Sequence, residues 1–195
     1  MYHFKVNYHI MSKQILMVDR DGTLIEEVPY LSDPHLVKLE KHVGESLKAI
    51  SKKNIPIIVI TNQSGIGRGY FSWQQLASVN QQVELLLQDF DVKIDAWYVC
   101  PNHPTEGLGR FKKDCNSRKP KPGLIFEACK DFNANPEECF FVGDRLSDLQ
   151  AGEAAGCKTL WVQSGLAFET DKSSIPKSSQ VLNNFSELPA YFESD

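Results

Sequence analysis

Five short strand-like runs, each ending in a polar loop, constrain this chain more than any other feature. They are Ile15–Val18, Ile57–Ile60, Ala96–Val99, Cys139–Val142 and Lys158–Val162. Near-continuous apolar character over four or five residues marks strands covered on both faces. Segments at helical spacing lie between them. Val43, Leu47 and Ile50 predict a helix from about Lys41 to Lys53. Ser72 is placed to cap a helix reaching about Gln88, with Leu76, Val79, Val83, Leu86 and Leu87 inward. Pro122 suits the first turn of a helix over Gly123 to Asp131, and a helix over Ser147 to Ala155 is stopped by Gly156. Strands alternating with helices predict an α/β fold, a Rossmann-like parallel sheet with helices on both faces. Right-handed crossovers then bring every strand C-terminus to one edge.

A single domain is expected over 14–195, with residues 1–13 as an N-terminal extension and Met11 as an alternative start. Thr170 to Ser179 reads as a loop, Val181–Leu182 as an edge strand and Ser186 as the cap of a last short helix. No apolar stretch approaches the roughly 20 residues needed to span a bilayer. The formal net charge of −4 argues against nucleic acid and anionic membranes as partners. Five cysteines without an export signal imply reduced thiols and a cytoplasmic protein, with Cys129, Cys139 and Cys157 as small core residues.

The polar loops carry the chemistry. Ile15–Val18 runs straight into Asp19-Arg20-Asp21-Gly22. Acids two apart at a strand end point to the same side, which is costly unless a cation or a proton offsets their charge. An acidic turn would look the same in isolation. The second run, however, ends in Thr61-Asn62, the fourth in Gly143-Asp144-Arg145, and Arg118-Lys119-Pro120 leads into a crossover helix. A parallel sheet gathers these at one edge, where open α/β sheets bind ligands. Converging carboxylates call for a hard divalent cation, Mg2+ being the usual one. Thr61 and the amides after it suit phosphate oxygens, and Lys119 can offset the charge of a transferring phosphoryl group.

This order of motifs resembles the haloacid dehalogenase superfamily of phosphatases. Asp-Arg-Asp-Gly-Thr-Leu, Thr-Asn-Gln-Ser-Gly-Ile-Gly-Arg-Gly, Cys-Pro-Asn-His-Pro, Arg-Lys-Pro-Lys-Pro-Gly and Val-Gly-Asp-Arg-Leu-Ser-Asp together resemble the D-glycero-D-manno-heptose 1,7-bisphosphate phosphatase family, over about residues 14–165. The resemblance implies a phosphoric monoester hydrolase acting through an aspartyl-phosphate on a heptose bisphosphate in lipopolysaccharide-core precursor synthesis. Asp19 would be the nucleophile and Asp21 the general acid and base, with Thr61 and Asn62 holding the phosphoryl oxygens and Lys119 neutralising them. Mg2+ would be held by Asp19, the Asp21 backbone carbonyl and Asp144, with Asp148 orienting a metal water or Lys119. Substrate contacts would fall on Glu27, Val28, Pro29, Tyr30, Asn62, Gln63, Ser64, Arg68, Arg118 and Arg145. Arg110, Lys112, Lys113, Arg118, Lys119 and Lys121 form a basic cluster that suits a polyanionic small molecule. The expected partner is thus a small phosphorylated sugar, and the protein is expected as a monomer.

Two departures bear on specificity. The family's zinc loop, Cys-x-His followed by Cys-x-Cys, corresponds here to Cys100, Asn102, Cys115 and Ser117. His103, one place along, raises the good ligands to three at most, whereas a structural zinc takes four. No zinc is expected, and hydrogen bonds are expected to hold this loop. There is also no room for a large cap domain, so water exclusion falls to the 100–118 loop and residues 26–34. Rival readings are a histidinol-phosphate phosphatase, more distantly a polynucleotide 3′-phosphatase, and, from another class, a catalytically silent relative that binds a phosphosugar or a partner.

Overall fold

Alternation along the apolar runs decides which helix covers which face. A computed structural model describes residues 4–5, 14–164 and 172–192. In chain order the regular elements are β1 (Phe4–Lys5), β2 (Leu16–Val18), α1 (Val43–Ser51), β3 (Ile57–Asn62), α2 (Ser64–Gly67), α3 (Trp73–Gln88), β4 (Ala96–Cys100), α4 (Gly123–Phe132), β5 (Phe140–Gly143), α5 (Leu146–Ala155), β6 (Lys158–Val162) and β7 (Gln180–Leu182), followed by a 3-10 helix, Phe185–Phe192. The sheet order is β1-β4-β3-β2-β5-β6-β7. Strands β2 to β7 are parallel, and β1 joins β4 antiparallel at the edge.

Leu16, Val18, Ile57, Val59, Phe140 and Val142 face α1, α3 and the final 3-10 helix. Ile15, Met17, Ile58, Ile60 and Phe141 face α4 and α5. Both faces are apolar, as side-chain alternation within a two-sided core requires. The expected α/β fold is present. β2, which carries the acid pair, lies between β3 and β5, so three strand ends converge on one spot.

The differences from expectation are local. β3 continues through Thr61 and Asn62, paired with Val99 and Cys100, so strand geometry fixes these polar residues. The Gly-rich stretch holds one helical turn, α2. α1 starts at Val43 because His42 is left-handed, with φ 66°. Pro122 caps α4 rather than lying in its first turn. α5 starts at Leu146, with Asp148 accepting from the Arg145 amide. Ser72 caps α3 in a reciprocal capping box with Gln75. Ser186 lies inside the last helix, and Asn184 accepts its amide instead. Part of the expected 170–179 loop is a 3-10 turn, Lys172–Ser174, and residues 170 and 171 lie outside the described residues. The proposed 1–13 extension lies mostly outside them too, but Phe4–Lys5 pairs with Trp97 and Ala96. No described helix is long and apolar enough to cross a membrane. Between Asp19 and β3 the chain holds only loops, one 3-10 turn and α1, so there is no large cap.

Candidate active site

Asp19 follows β2, and its backbone amide still donates to Val142 O at 2.9 Å, so the sheet fixes its position. Its carboxylate is buried, with Oδ1 2.7 Å from Lys119 Nζ. Lys119 enters from beyond the 100–118 loop. It meets Asp148 Oδ1 at 2.7 Å and donates to Ile60 O at 2.9 Å. Asn62 holds the lysine's main chain at both ends, donating to Lys119 O at 3.1 Å and accepting from its amide at 3.2 Å. The Lys119–Pro120 bond is cis.

Asp144 follows β5 and is fully buried. Its Oδ1 accepts from Thr23 Oγ1 at 3.0 Å, and its carbonyl accepts from Trp161 Nε1 at 3.0 Å. Gly22 turns the chain beside it with φ +76°, and a Cβ there would come within 2.5 Å of Asp144 Oδ2. Only glycine permits both the turn and the approach. One carboxylate oxygen from each of Asp19, Asp144 and Asp148 lies within 4.8 Å of the others, the one such cluster among the described residues. Three hard oxygen donors at this spacing can hold a divalent cation.

The electrostatics are those of an acidic hole plugged by one lysine. Burial pushes the Asp19 carboxyl up to about 7; Lys119 opposes this, while Asp148, Asp144 and Asp21 add to it. Burial alone would lower Lys119, but Asp148 and Asp19 outweigh it and hold the ammonium above its ordinary value.

Asp21 sits differently. The Arg20 guanidinium grips its carboxylate, with Nη2 2.9 Å from Oδ1, and Gln63 Nε2 donates to Oδ2 at 2.6 Å. Gln63 also donates to Thr61 Oγ1 at 2.8 Å, tying together the two residues expected at the phosphoryl group. The Asp21 side chain is 17% exposed, against 7% for Asp19, so the two acids of the motif meet different surroundings.

A cavity of about 430 Å³ opens above these groups. Asp19, Asp21, Thr61 and Lys119 line it, and so do all ten residues expected at the substrate: Glu27, Val28, Pro29, Tyr30, Asn62, Gln63, Ser64, Arg68, Arg118 and Arg145. Arg145 Nη2 pairs with Glu27 Oε1 at 2.9 Å. Arg68 bonds Tyr30 Oη at 3.1 Å and pairs with Glu106, so it bridges the 26–34 and 100–118 loops. Tyr30 packs edge-on against Tyr70, with ring centroids 4.6 Å apart. Arg118 donates to Asn102 O at 3.0 Å.

The expected basic cluster divides. Lys119 is buried and Arg118 half-buried at the cavity. Lys112 and Lys113 face solvent, Arg110 lies over the Phe111 ring, and Lys121 pairs with Asp114 at 2.5 Å. Asn62 serves the lysine's main chain more directly than the open cavity. The zinc loop is held by hydrogen bonds: Asn102 Nδ2 points at Cys115 Sγ, 3.3 Å away, and His103 Nδ1 accepts from the Glu106 amide at 3.0 Å. In the sequence Arg20 and Thr23 belong to the motif without a role of their own, and Asn80 is not singled out. Arg20, 1% exposed, donates to Asn80 Oδ1 at 3.0 Å as well as gripping Asp21. The available signal was Asn80 standing directly after inward-facing Val79 on α3.

Fold and site together define a phosphoric monoester hydrolase of the haloacid dehalogenase type, in which the first parallel strand presents the acid pair and the two strands flanking it lead to Thr61 and Asp144. A family model described as HAD-hydrolase-like matches residues 116–188. The D-glycero-beta-D-manno-heptose-1,7-bisphosphate 7-phosphatase of Haemophilus ducreyi is 38% identical over 183 residues, covering 93% of this chain and 99% of that protein. A HAD-like protein of Mesorhizobium loti has a crystal structure that superposes with a TM-score of 0.85 at 30% identity, covering 100% of this chain and 95% of that one. The D,D-heptose 1,7-bisphosphate phosphatase of B. bronchiseptica, complexed with magnesium and phosphate, superposes at 0.83 with 25% identity, covering 93% and 98%. The chain belongs to the D-glycero-β-D-manno-heptose-1,7-bisphosphate 7-phosphatase family of the haloacid dehalogenase superfamily.

Proposed function

We propose that this protein removes a phosphate from D-glycero-D-manno-heptose 1,7-bisphosphate, as a cytoplasmic, monomeric enzyme of lipopolysaccharide-core precursor synthesis. The observation that carries the reading is the split environment of the acid pair. Asp19 is buried against Lys119, while Asp21 stands at the cavity wall under Arg20 and Gln63. Two carboxylates in unlike surroundings suit two jobs. Asp19 Oδ attacks phosphorus, the bridging P–O bond breaks, and an aspartyl-phosphate forms. Asp21 gives a proton to the departing sugar oxygen, then takes one from the water that hydrolyses the acyl phosphate. Thr61 Oγ1, oriented by Gln63, and Lys119 Nζ hold the phosphoryl oxygens.

The oxygen donors of Asp19, Asp144 and Asp148 fit Mg2+, with Asp144 held in place by Thr23. We assign the ion to Asp19, Asp144 and the Asp21 carbonyl, since Asp148 is committed to Lys119 and to the Arg145 amide. The ion would supply charge neutralisation between the carboxylates and the phosphoryl group. The sugar and its second phosphate would meet the wall formed by Glu27 to Tyr30, Ser64, Arg68, Arg118 and Arg145. The relatives' heptose substrate, the guanidinium groups of Arg68, Arg118 and Arg145 at the cavity and its volume of about 430 Å³ support a small polyanion.

The test is a phosphate-release panel with Mg2+ comparing α- and β-heptose 1,7-bisphosphates, histidinol phosphate and a 3′-phosphorylated oligonucleotide. One heptose bisphosphate is expected to lead by at least tenfold, and Asp19→Asn to abolish release without unfolding the protein. Comparable slow rates on every compound would overturn the substrate assignment. Release unaffected by Asp19→Asn would overturn the chemistry.

A further inference from the structure

The loop between β4 and α4 keeps two sulfurs together without the partners a zinc ion needs. Cys100 ends β4, buried, and Cys115 lies half-buried on the returning limb. Their sulfurs are 3.8 Å apart. A zinc ion between them would want two more thiolate or imidazole donors. Asn102 instead directs its amide N–H toward both sulfurs, at 3.3 Å from Cys115 and 3.9 Å from Cys100. His103 turns its Nδ1 to the amides of Thr105 and Glu106. The donor set does not fit zinc, and it leaves a vicinal dithiol beside an N–H donor and the Arg118 charge.

We propose that Cys100 and Cys115 form a peroxide-responsive dithiol whose disulfide fastens the substrate-facing loop to the end of β4. The two thiols differ in reactivity. Burial pushes Cys100 up to about 11, with the Asn102 amide and Arg118 opposing and Cys115 adding to the rise. Cys115 is the more accessible and accepts the shorter N–H contact, so it reacts first. Its thiolate sulfur attacks one peroxide oxygen; the O–O bond breaks, hydroxide leaves and takes a proton as water, and Cys115 becomes a sulfenic acid. The Cys100 sulfur then attacks the Cys115 sulfur; the S–S bond forms, the S–O bond breaks, and the hydroxyl leaves with the Cys100 proton as a second water. Two thiols lose two electrons and two protons, and hydrogen peroxide becomes two waters. The sulfurs need to close by about 2 Å to reach the ~2.05 Å bond. The limb carrying Cys115 is an irregular loop and can supply that movement, whereas β4 cannot.

The consequence for the site is local. Arg118 donates its amide to Cys115 O at 3.3 Å and its guanidinium to Asn102 O at 3.0 Å, so its two anchors are one member of the dithiol and the amide residue between the thiols. Cys129, Cys139 and Cys157, the other thiols, hydrogen-bond within their own buried cluster under α4 and provide an internal control.

The experiment treats purified full-length protein with a small molar excess of hydrogen peroxide, alkylates the remaining thiols under denaturing conditions, and maps peptides by mass spectrometry. A Cys100–Cys115 cross-linked peptide, two hydrogens lighter and reversed by dithiothreitol, is expected, with Cys129, Cys139 and Cys157 alkylated. Dimedone should trap Cys115 in the Cys100→Ser variant, and the Cys115→Ser variant should give no intrachain cross-link. A disulfide within the Cys129 cluster, a cross-link only between chains, Cys115 sulfinic acid with Cys100 still free, or stoichiometric zinc on the purified protein would each overturn the proposal. Wild-type mapping decides the matter even if the Cys100 variant fails to fold, and every readout is independent of phosphatase turnover.

Discussion

Replacing Lys119 by Met tests whether the buried acids depend on one ammonium. Lys119 is 3% exposed, lies 2.7 Å from both Asp19 and Asp148, and is the one cation in direct ion pairs with them among the described residues. Met keeps much of the volume and removes the charge. Breaking a buried ion pair from one side costs about 3–5 kcal/mol, because the other charge is left unpaired. For a domain of this size, 1 kcal/mol shifts Tm by about 2–4 °C, so the variant should melt roughly 6–20 °C lower in EDTA at pH 8. The loss has a definite pH dependence. The wild-type Asp19 carboxyl already sits at about 7, against 3.8 for an unperturbed aspartate. Lys119 is the charge that pulls it down, so removing it raises the folded value further. A raised folded pKa gives stability that is present below the unfolded value and is lost as pH rises through the folded one. The variant's deficit should therefore shrink toward pH 5, where Asp19 is protonated, and grow toward pH 8. Urea melts in EDTA across that range measure it. A deficit under 1 kcal/mol at pH 8, or one that does not change between pH 5 and pH 8, would refute the account of a lysine-plugged acid site.

Other perturbations probe the rest of the arrangement. Mg2+ affinity, followed by calorimetry without substrate, should fall about tenfold per pH unit below 7, because the ion must displace the proton that burial places on Asp19; a pH-independent affinity would mean that Asp19 stays ionised without the metal. Gly22→Ala should cost about 1–3 kcal/mol of backbone strain and weaken Mg2+ binding as well, since its Cβ meets Asp144 Oδ2 at 2.5 Å; unchanged metal affinity would contradict that contact. Asn80→Ala leaves Arg20 Nη1 buried without its acceptor and should cost about 1–3 kcal/mol in chemical denaturation; a neutral effect would show that the guanidinium finds another partner.

Much of this architecture is written locally in the chain. Continuous apolar runs such as Ile57–Ile60 can only be buried strands, and the polar residue after each run must lie at the sheet edge. Asp19, Thr61 and Asp144 were therefore readable as neighbours although up to 125 positions separate them. Residues whose role depends on a partner from another element were not readable. Arg20 stands in the acidic motif with no role assigned, and it is enclosed with α3 presenting Asn80 to it. Asp148 reads as orienting either a metal water or Lys119, and the choice of Lys119 depends on how the segment before α4 re-enters the site. The resemblance puts Asn62 at the phosphoryl group; it lines the cavity, and its hydrogen bonds to the main chain of Lys119 were not legible in the sequence.

The same logic explains where specificity resides. The groups proposed to act on the phosphoryl centre are fixed by strands: Asp19 by the Val142 carbonyl, Thr61 within the β3–β4 ladder, Asp144 directly after β5. Such positions move only if the sheet moves, so they suit chemistry that tolerates little displacement. The residues facing the remainder of a substrate lie on the 26–34 loop and on the segments around Arg68 and Arg118, joined by Arg68 contacts to Tyr30 and Glu106 and by the Arg145–Glu27 pair. Without a cap domain, these side-chain ties are what holds the mouth of the cavity. Each guanidinium there is already matched by a carboxylate or a carbonyl. An incoming anionic group must exchange with Glu106 at Arg68 or with Glu27 at Arg145, and it meets Arg118 opposed only by a carbonyl, which favours a ligand carrying full phosphate charge over a neutral sugar.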